Sequence, residues 1–256
     1  MKTIICERDA IYRGDLILVN KQHPIHPHVS FEQELVAVDE RQQPAVLLNI
    51  RARTALCRLF AHLQSEQQIV AVSGYRSLQE QQQIYADSIR DNGLAFTQTY
   101  VALPNCSEHQ TGLAIDLGEN RPQIDFIRPD FPYTGICQAF REQAAAYGFI
   151  ERYPEGKEAI TGIGWEPWHF RYVGVPHAQI IQERGLTLEE YTDYVKAYTR
   201  YGEHLFVETN NGLACIYYVP LADGNTATID LPDDSTWQIS GNNRDGLVVT
   251  VWTATP

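Results

Sequence analysis

One acid constrains this chain more than any other residue. Asp116 lies inside the apolar run Leu113-Ala114-Ile115-Asp116-Leu117, which has the composition of a buried strand. A carboxylate between Ile115 and Leu117 loses its hydration, and the strand is stable only where the fold brings it a cation or several hydrogen-bond donors. A metal ion is one such cation. Seven residues earlier, His109 sits in the polar, glycine-containing stretch Ser107-Glu108-His109-Gln110-Thr111-Gly112. A turn at Gly112 would let the chain double back and set the imidazole beside Asp116. Taken singly, His109 also reads as a surface or capping histidine, and Asp116 as a strand-end carboxylate bonded to backbone amides.

A second segment, Gly162-Ile163-Gly164-Trp165-Glu166-Pro167-Trp168-His169-Phe170-Arg171-Tyr172, places Glu166 and His169 three apart with Pro167 between them. The proline argues against a metal-binding helix of the HExxH kind. The expectation is Glu166 on an irregular turn and His169 opening a strand, both directed into one cleft; the plainer alternative is a bonded pair packed beside Trp165 and Trp168. His109, Asp116 and His169 then form a set of two imidazoles and one carboxylate, the composition of a catalytic zinc site with an open position. Glu166 is the spare carboxylate. The same donors suit a mononuclear iron oxygenase, but those usually place the carboxylate two residues after the first histidine rather than seven.

The surrounding pattern reads as α+β. Leu47, Ile50, Leu56, Leu59, Phe60 and Leu63 predict an amphipathic helix from about Pro44 to Gln64. Gln68 to Val72 is a β-branched strand ending at Ser73-Gly74, so Arg76 emerges where strand gives way to loop. Ser77 and Glu80 form a capping box for a helix that stops at Gly93. Further helices are expected from Gly135 to Tyr147, from Pro176 to Arg184, and from the Thr187/Glu190 capping box to Gly202. Strands are expected at Leu113 to Leu117, around Phe149 to Tyr153, and at His169 to Val173. Residues 92–105 and 119–133 carry no assignable pattern.

Beyond Gly202 the texture changes to short β runs: Leu205 to Glu208, Leu213 to Val219, Thr226 to Leu231, Thr236 to Ser240 and Leu247 to Trp252. Turns at Asn210-Asn211-Gly212, Asp223-Gly224-Asn225 and Asn243-Arg244-Asp245-Gly246 separate them. The division expected is therefore 1–202, carrying the chemistry, and 203–256, a small all-β module. The module has net charge −6, half of the −12 of the whole chain.

That charge, from 20 basic and 32 acidic residues, repels nucleic-acid phosphates and anionic lipid, so neither is expected as a partner. No apolar run approaches the roughly 20 residues of a membrane helix, and the first residues, MKTIICERDAIYRG, lack the apolar core of a secretory signal. Cys6, Cys57, Cys106, Cys137 and Cys215 are odd in number and contain no CxxC pair. Free thiols and a cytoplasmic location are expected.

The segments Ser73-Gly74-Tyr75-Arg76-Ser77, Ser107 to Asp116 and Glu166 to Gly174 together resemble the zinc-dependent D-alanyl-D-alanine carboxypeptidases of the VanY type, including the soluble VanXY enzymes that also cleave the free dipeptide. The resemblance runs from about Tyr12 to Gly174, and no motif position departs from it. It implies a hedgehog-like α+β core with one Zn2+ per chain held by His109, Asp116 and His169, and Glu166 as catalytic base. Arg76 would face the oxyanion, and Gln81 and Ser107 would contact substrate. The implied substrate is a small peptide, D-Ala-D-Ala itself or a peptidoglycan precursor pentapeptide ending in it, cleaved by an enzyme of the kind associated with vancomycin resistance. The missing membrane anchor favours the soluble VanXY-like branch. Trp165, Trp168 and Tyr85 are expected either to wall the pocket or to pack in the core. An L,D-carboxypeptidase or peptidoglycan endopeptidase of the same fold, or a non-catalytic zinc module, remains open, as does the oligomeric state.

Overall fold

The apolar run around Asp116 becomes an inner strand of a four-stranded antiparallel sheet. The structure, a computed structural model, describes residues 1–256 except 40, 42–44, 210–211, 222–225, 234 and 254–256. In chain order the elements are β1 (Lys2–Cys6), β2 (Leu35–Ala37), β3 (Leu47–Asn49), α1 (Ile50–Leu63), β4 (Ile69–Ser73), α2 (Leu78–Asn92), α3 (Leu94–Tyr100) and β5 (Ala114–Glu119). There follow α4 (Gly135–Ala144), β6 (Phe149–Tyr153), α5 (Glu158–Thr161), β7 (Glu166–Tyr172), α6 (His177–Arg184) and α7 (Leu188–Tyr194). The last strands are β8 (Leu205–Thr209), β9 (Gly212–Pro220), β10 (Ala227–Leu231), β11 (Thr236–Gly241) and β12 (Gly246–Thr253).

The chain divides into two units. One comprises residues 19–24 and 30–187 and holds the sheet β4-β5-β7-β6. Its core includes Leu56, Leu59 and Phe60 of α1 and Phe140 of α4, with Ile115 and Leu117 of β5 and Phe170 of β7. Phe140 meets Phe60, Phe131 and Phe170 ring to ring at 6.0, 5.7 and 4.9 Å, burial that carries most of the stability of such a layer. Asn49 begins α1 by accepting from Arg51 N at 2.9 Å. The capping box of Ser77 and Glu80 opens α2 as expected. Left-handed glycines close α4 with its following turn (Gly148, φ 86°) and α6 (Gly185, φ 61°).

The other unit comprises residues 1–18, 25–29 and 188–256. Its four-stranded antiparallel sheet is β11-β12-β9-β8, and β1 pairs antiparallel with β10 from Lys2↔Leu231 to Cys6↔Ala227. Ile11, Ile229, Leu231, Leu247 and Val249 are fully buried in one apolar cluster. The five strands expected after Gly202 are found within two residues of their expected ends. The turns proposed at Asn210-Asn211-Gly212 and Asp223-Gly224-Asn225 fall largely outside the described residues.

Several expectations are corrected. The helix expected from Pro44 begins at Ile50, because Leu47–Asn49 pairs with Leu35–Ala37 as a strand; residue 44 itself lies outside the described residues. The last helix ends at Tyr194 and passes into a 3-10 turn, Val195–Ala197. Residues 94–100, which showed no pattern, are α3. The boundary at 202 is displaced because the N-terminal strand finds its partner in β10 and α7 falls with the C-terminal unit. All five cysteines are free thiols. Among the described residues, no helix is long and apolar enough to cross a membrane.

Gly112 follows a 3-10 turn, Glu108–Thr111, with φ 68°. A Cβ there would stand 2.6 Å from Leu35 Cδ2 and 3.0 Å from Asn49 N, so both conformation and space demand glycine. Gly112→Ala is expected to lower unfolding free energy by roughly 1–3 kcal/mol, read as a reduced urea midpoint at unchanged m-value; an unshifted midpoint would show that the turn adapts.

Candidate metal centre and active-site cleft

Sheet register builds this site. Asp116 on β5 lies directly opposite His169 on β7 and opposite Ser73 on β4. The side chains of Asp116 and His169 share one face, and Arg76 arrives three residues past Ser73. The 3-10 turn and Gly112 fold the preceding segment back so that His109 reaches the same carboxylate, the reversal expected from the sequence. His109 Nε2 stands 3.3 Å from Asp116 Oδ2, and His169 Nδ1 stands 2.9 Å from Oδ1. The rings of His109 and His169 meet edge to face at 4.9 Å. Ligand atoms from these three buried residues lie within 4.8 Å of one another.

The donor set fits a divalent cation. Nδ1 of His109 lies 2.6 Å from the carbonyl of Gly74, so that nitrogen carries the proton and Nε2 presents its lone pair to the centre. Gly74 itself must be glycine to pack against β3, since a Cβ on it would lie 2.2 Å from Leu47 O. Two imidazole nitrogens and one carboxylate make a three-ligand site of the kind that leaves a position open.

Glu166 does not lie on an irregular turn as expected. It is the first residue of β7, paired with Tyr153 across an irregularity in β6. Pro167 is accommodated because β5 pairs with β7 only from His169 onward, so no ladder on that side needs its missing N–H. Glu166 Oε2 lies 3.8 Å from His169 Nδ1, and the residue is 6% exposed.

The electrostatics are those of charges held in a dry place. Burial pushes the Glu166 carboxyl up to about 8, with the Asp116 charge adding to the rise and His169 opposing it. Burial would raise Asp116 also, but the two imidazoles outweigh it and hold Asp116 well below the usual carboxylate range. His109 is lowered to about 4 by burial and by the Arg76 charge. Burial lowers His169 too, yet its carboxylate neighbours, Asp116 first, raise it to about 9. Such divergent shifts within one cluster mark a functional site.

Arg76 donates from Nη2 to Asp116 Oδ2 at 2.7 Å and from Nε to Ser73 Oγ at 2.9 Å. Gln81, at 1% exposure, donates to Ala102 O at 2.8 Å and leaves its Oε1 unbonded. Ser107 precedes the 3-10 turn but its side chain does not cap it. These residues line one cavity of about 400 Å³ together with His109, Asp116, Glu166 and His169. Trp168 also lines it, whereas Trp165 and Tyr85 are not among the lining residues; Trp165 stacks on Tyr133 at 6.1 Å. Among the lining residues that the sequence reading did not single out are Tyr153, whose ring lies 4.9 Å from that of His169, and Glu108. Glu108 stands beside His109 in the motif, and its burial between arginines from β6 and β7 could not be read without the sheet.

The VanY family model, D-alanyl-D-alanine carboxypeptidase, matches residues 45–175. A bifunctional D-Ala-D-Ala dipeptidase and carboxypeptidase, VanXYC of Enterococcus gallinarum, is 44% identical over 181 residues, 70% of this chain and 94% of that protein. The crystal structure of the vancomycin-resistance D,D-dipeptidase VanXYg, in complex with a D-Ala-D-Ala phosphinate analogue, superposes with a TM-score of 0.94 at 51% identity, covering 98% of this chain and 99% of that one. The likeness therefore extends through β8–β12, which the sequence reading had left outside the shared core. A VanY D,D-pentapeptidase in complex with Zn(II) matches 70% of this chain and 98% of its own, with a TM-score of 0.58 and 34% identity. The chain belongs to the VanY D-alanyl-D-alanine carboxypeptidase family.

Proposed function

We propose that this protein is a zinc-dependent hydrolase of the D-Ala-D-Ala bond, acting on the free dipeptide and on the C-terminus of peptidoglycan precursors, in the cytoplasm. The observation that carries the reading is the convergence of His109, Asp116 and His169 in one cavity with a buried carboxylate, Glu166, whose Oε2 lies 3.8 Å from His169 Nδ1. The names of the VanXY relatives support the substrate. The cavity, at about 400 Å³, has room for a dipeptide and for the end of a longer chain.

His109 through Nε2, Asp116 through its carboxylate and His169 through Nδ1 are the residues that would hold zinc. The ion supplies Lewis acidity at the scissile carbonyl and at the attacking water. Glu166 takes the proton from that water and returns it to the departing D-alanine amine, so that one C–N bond is exchanged for one C–O bond with no net proton change at the residue. Arg76, a permanent cation, faces the negative charge that develops on the carbonyl oxygen. Gln81, through its unbonded Oε1, and Ser107, through its hydroxyl, hold the amide and carboxylate groups of the substrate. Burial keeps competing water out and strengthens each of these interactions.

The direct test is D-alanine release by purified protein from D-Ala-D-Ala and from a precursor pentapeptide, with and without a chelator. Chelator-sensitive release is expected from both. Absence of release in protein that contains zinc would favour an L,D-carboxypeptidase, an endopeptidase or a non-catalytic module.

Variants separate the roles. Glu166→Ala is expected to lower kcat by about 10²–10⁴-fold while retaining stoichiometric zinc, whereas His109→Ala and Asp116→Ala lose both metal and turnover. Arg76→Ala should lower kcat more than it raises KM, the signature of an interaction that strengthens in the transition state. Metal analysis alongside steady-state kinetics decides; a Glu166→Ala protein without zinc would exchange base for ligand.

The pH profile follows from the direction of the Glu166 shift. A base must be ionised, and burial raises Glu166 from 4.5 to about 8, while a divalent charge nearby draws it back down. Activity is therefore expected to fall tenfold per unit on the acid side, with the midpoint of kcat/KM between 4.5 and about 8. A profile flat to well below pH 4.5, the lower end of that range, would remove Glu166 from that role.

A further inference from the structure

Glu108 is a carboxylate with 0% side-chain exposure, placed directly before His109. Two arginines with equally buried side chains meet it: Arg152 donates from Nε and Arg171 from Nη1, each at 2.8 Å. Both bonds go to the same oxygen, Oε1. The other oxygen, Oε2, has no hydrogen-bond partner, although it is buried. It faces Nε2 of His169 at 3.7 Å, and that nitrogen is likewise buried and without a partner. An acceptor and a ring nitrogen, each costly to leave unbonded, thus stand opposite each other on the side of His169 that points away from the metal ligands. A shift of about 0.8 Å would bring them to ordinary hydrogen-bond distance.

We propose that Glu108 is a positioning residue for the metal centre: its Oε2 accepts the Nε2–H of His169 and so leaves Nδ1 of that ring unprotonated and aimed at the metal. This rests on the metallopeptidase reading above. Arg152, from β6, and Arg171, from β7, fix the carboxylate and keep its second oxygen for the imidazole. His109 is held by the mirror-image device, its Nδ1 tied to the carbonyl of Gly74 and its Nε2 presented. The two histidines therefore ligate through different ring nitrogens because their backing partners stand on different sides. A ligating histidine whose outer nitrogen is tied to a carboxylate has a fixed tautomer and orientation and is a stronger donor.

The test is Glu108→Gln in the full-length protein. The glutamine carbonyl stays toward the two arginines, so its NH2 is turned toward His169 and donates to Nε2, forcing the proton onto Nδ1. Zinc affinity, measured by competition with a chromogenic chelator, is expected to fall about 10–100-fold. Nitrogen-15 NMR of the zinc-loaded wild-type protein is expected to show the directly bonded proton of His169 on Nε2. A folded variant with unchanged zinc affinity overturns the proposal, even if its metal-free form melts lower. Where the variant does not fold, the wild-type spectrum decides, and a His169 protonated on Nδ1 with zinc bound overturns it. Failure of the wild-type protein to bind zinc at all overturns the metallopeptidase reading itself, a separate outcome.

Discussion

Everything in the catalytic unit is arranged around the carboxylate of Asp116. It is fixed in an inner strand among fully buried aliphatic neighbours, where an isolated charge is untenable. The fold answers with His109 from the turn behind it, His169 from the strand beside it and Arg76 from the strand exit across from it. The two histidines are placed by backbone features: the left-handed Gly112, the carbonyl of Gly74, and the register that sets Asp116 against His169. The site is thus a consequence of how the sheet solves the problem of one buried acid.

A second buried acid, Glu108, is handled differently. Burial alone would raise its carboxyl, but Arg152 and Arg171 outweigh that and hold it far below the usual range. Glu166 has no such arginine pair bonded to it, and it goes the other way, up to about 8. Three carboxylates within one small region are therefore set in two directions by their neighbours, Asp116 and Glu108 toward the ionised form and Glu166 toward the protonated one. One is suited to ligation, one to holding an imidazole, and one to moving a proton.

The other unit shows how chain order and spatial order part company. β1 sits at the beginning of the sequence and completes its hydrogen bonding against β10, far along the chain. Pairing of this kind costs loop-closure entropy that grows only slowly with separation, so distance along the chain does not forbid it. A division drawn from composition at residue 202 could not anticipate it.

The sequence by itself determined the family and the local elements. The placement of Asp116 among aliphatic residues called for a cation or several hydrogen-bond donors; the motifs around His109 and His169 offered a candidate ligand set; and capping residues and glycine stops marked the ends of α2, α4 and α6. These are short-range properties, governed by propensity and by what each residue can satisfy within a few positions. Tertiary structure alone decided which strands lie side by side and in what register, and hence that Glu166 belongs to a strand, that Leu47–Asn49 leaves the helix, and that β1 joins the C-terminal strands. It also decided that Glu108 stands between two arginines and behind His169. Hydrogen bonds across a sheet join residues whose separation along the chain carries no pattern, so that information exists only once the strands have met.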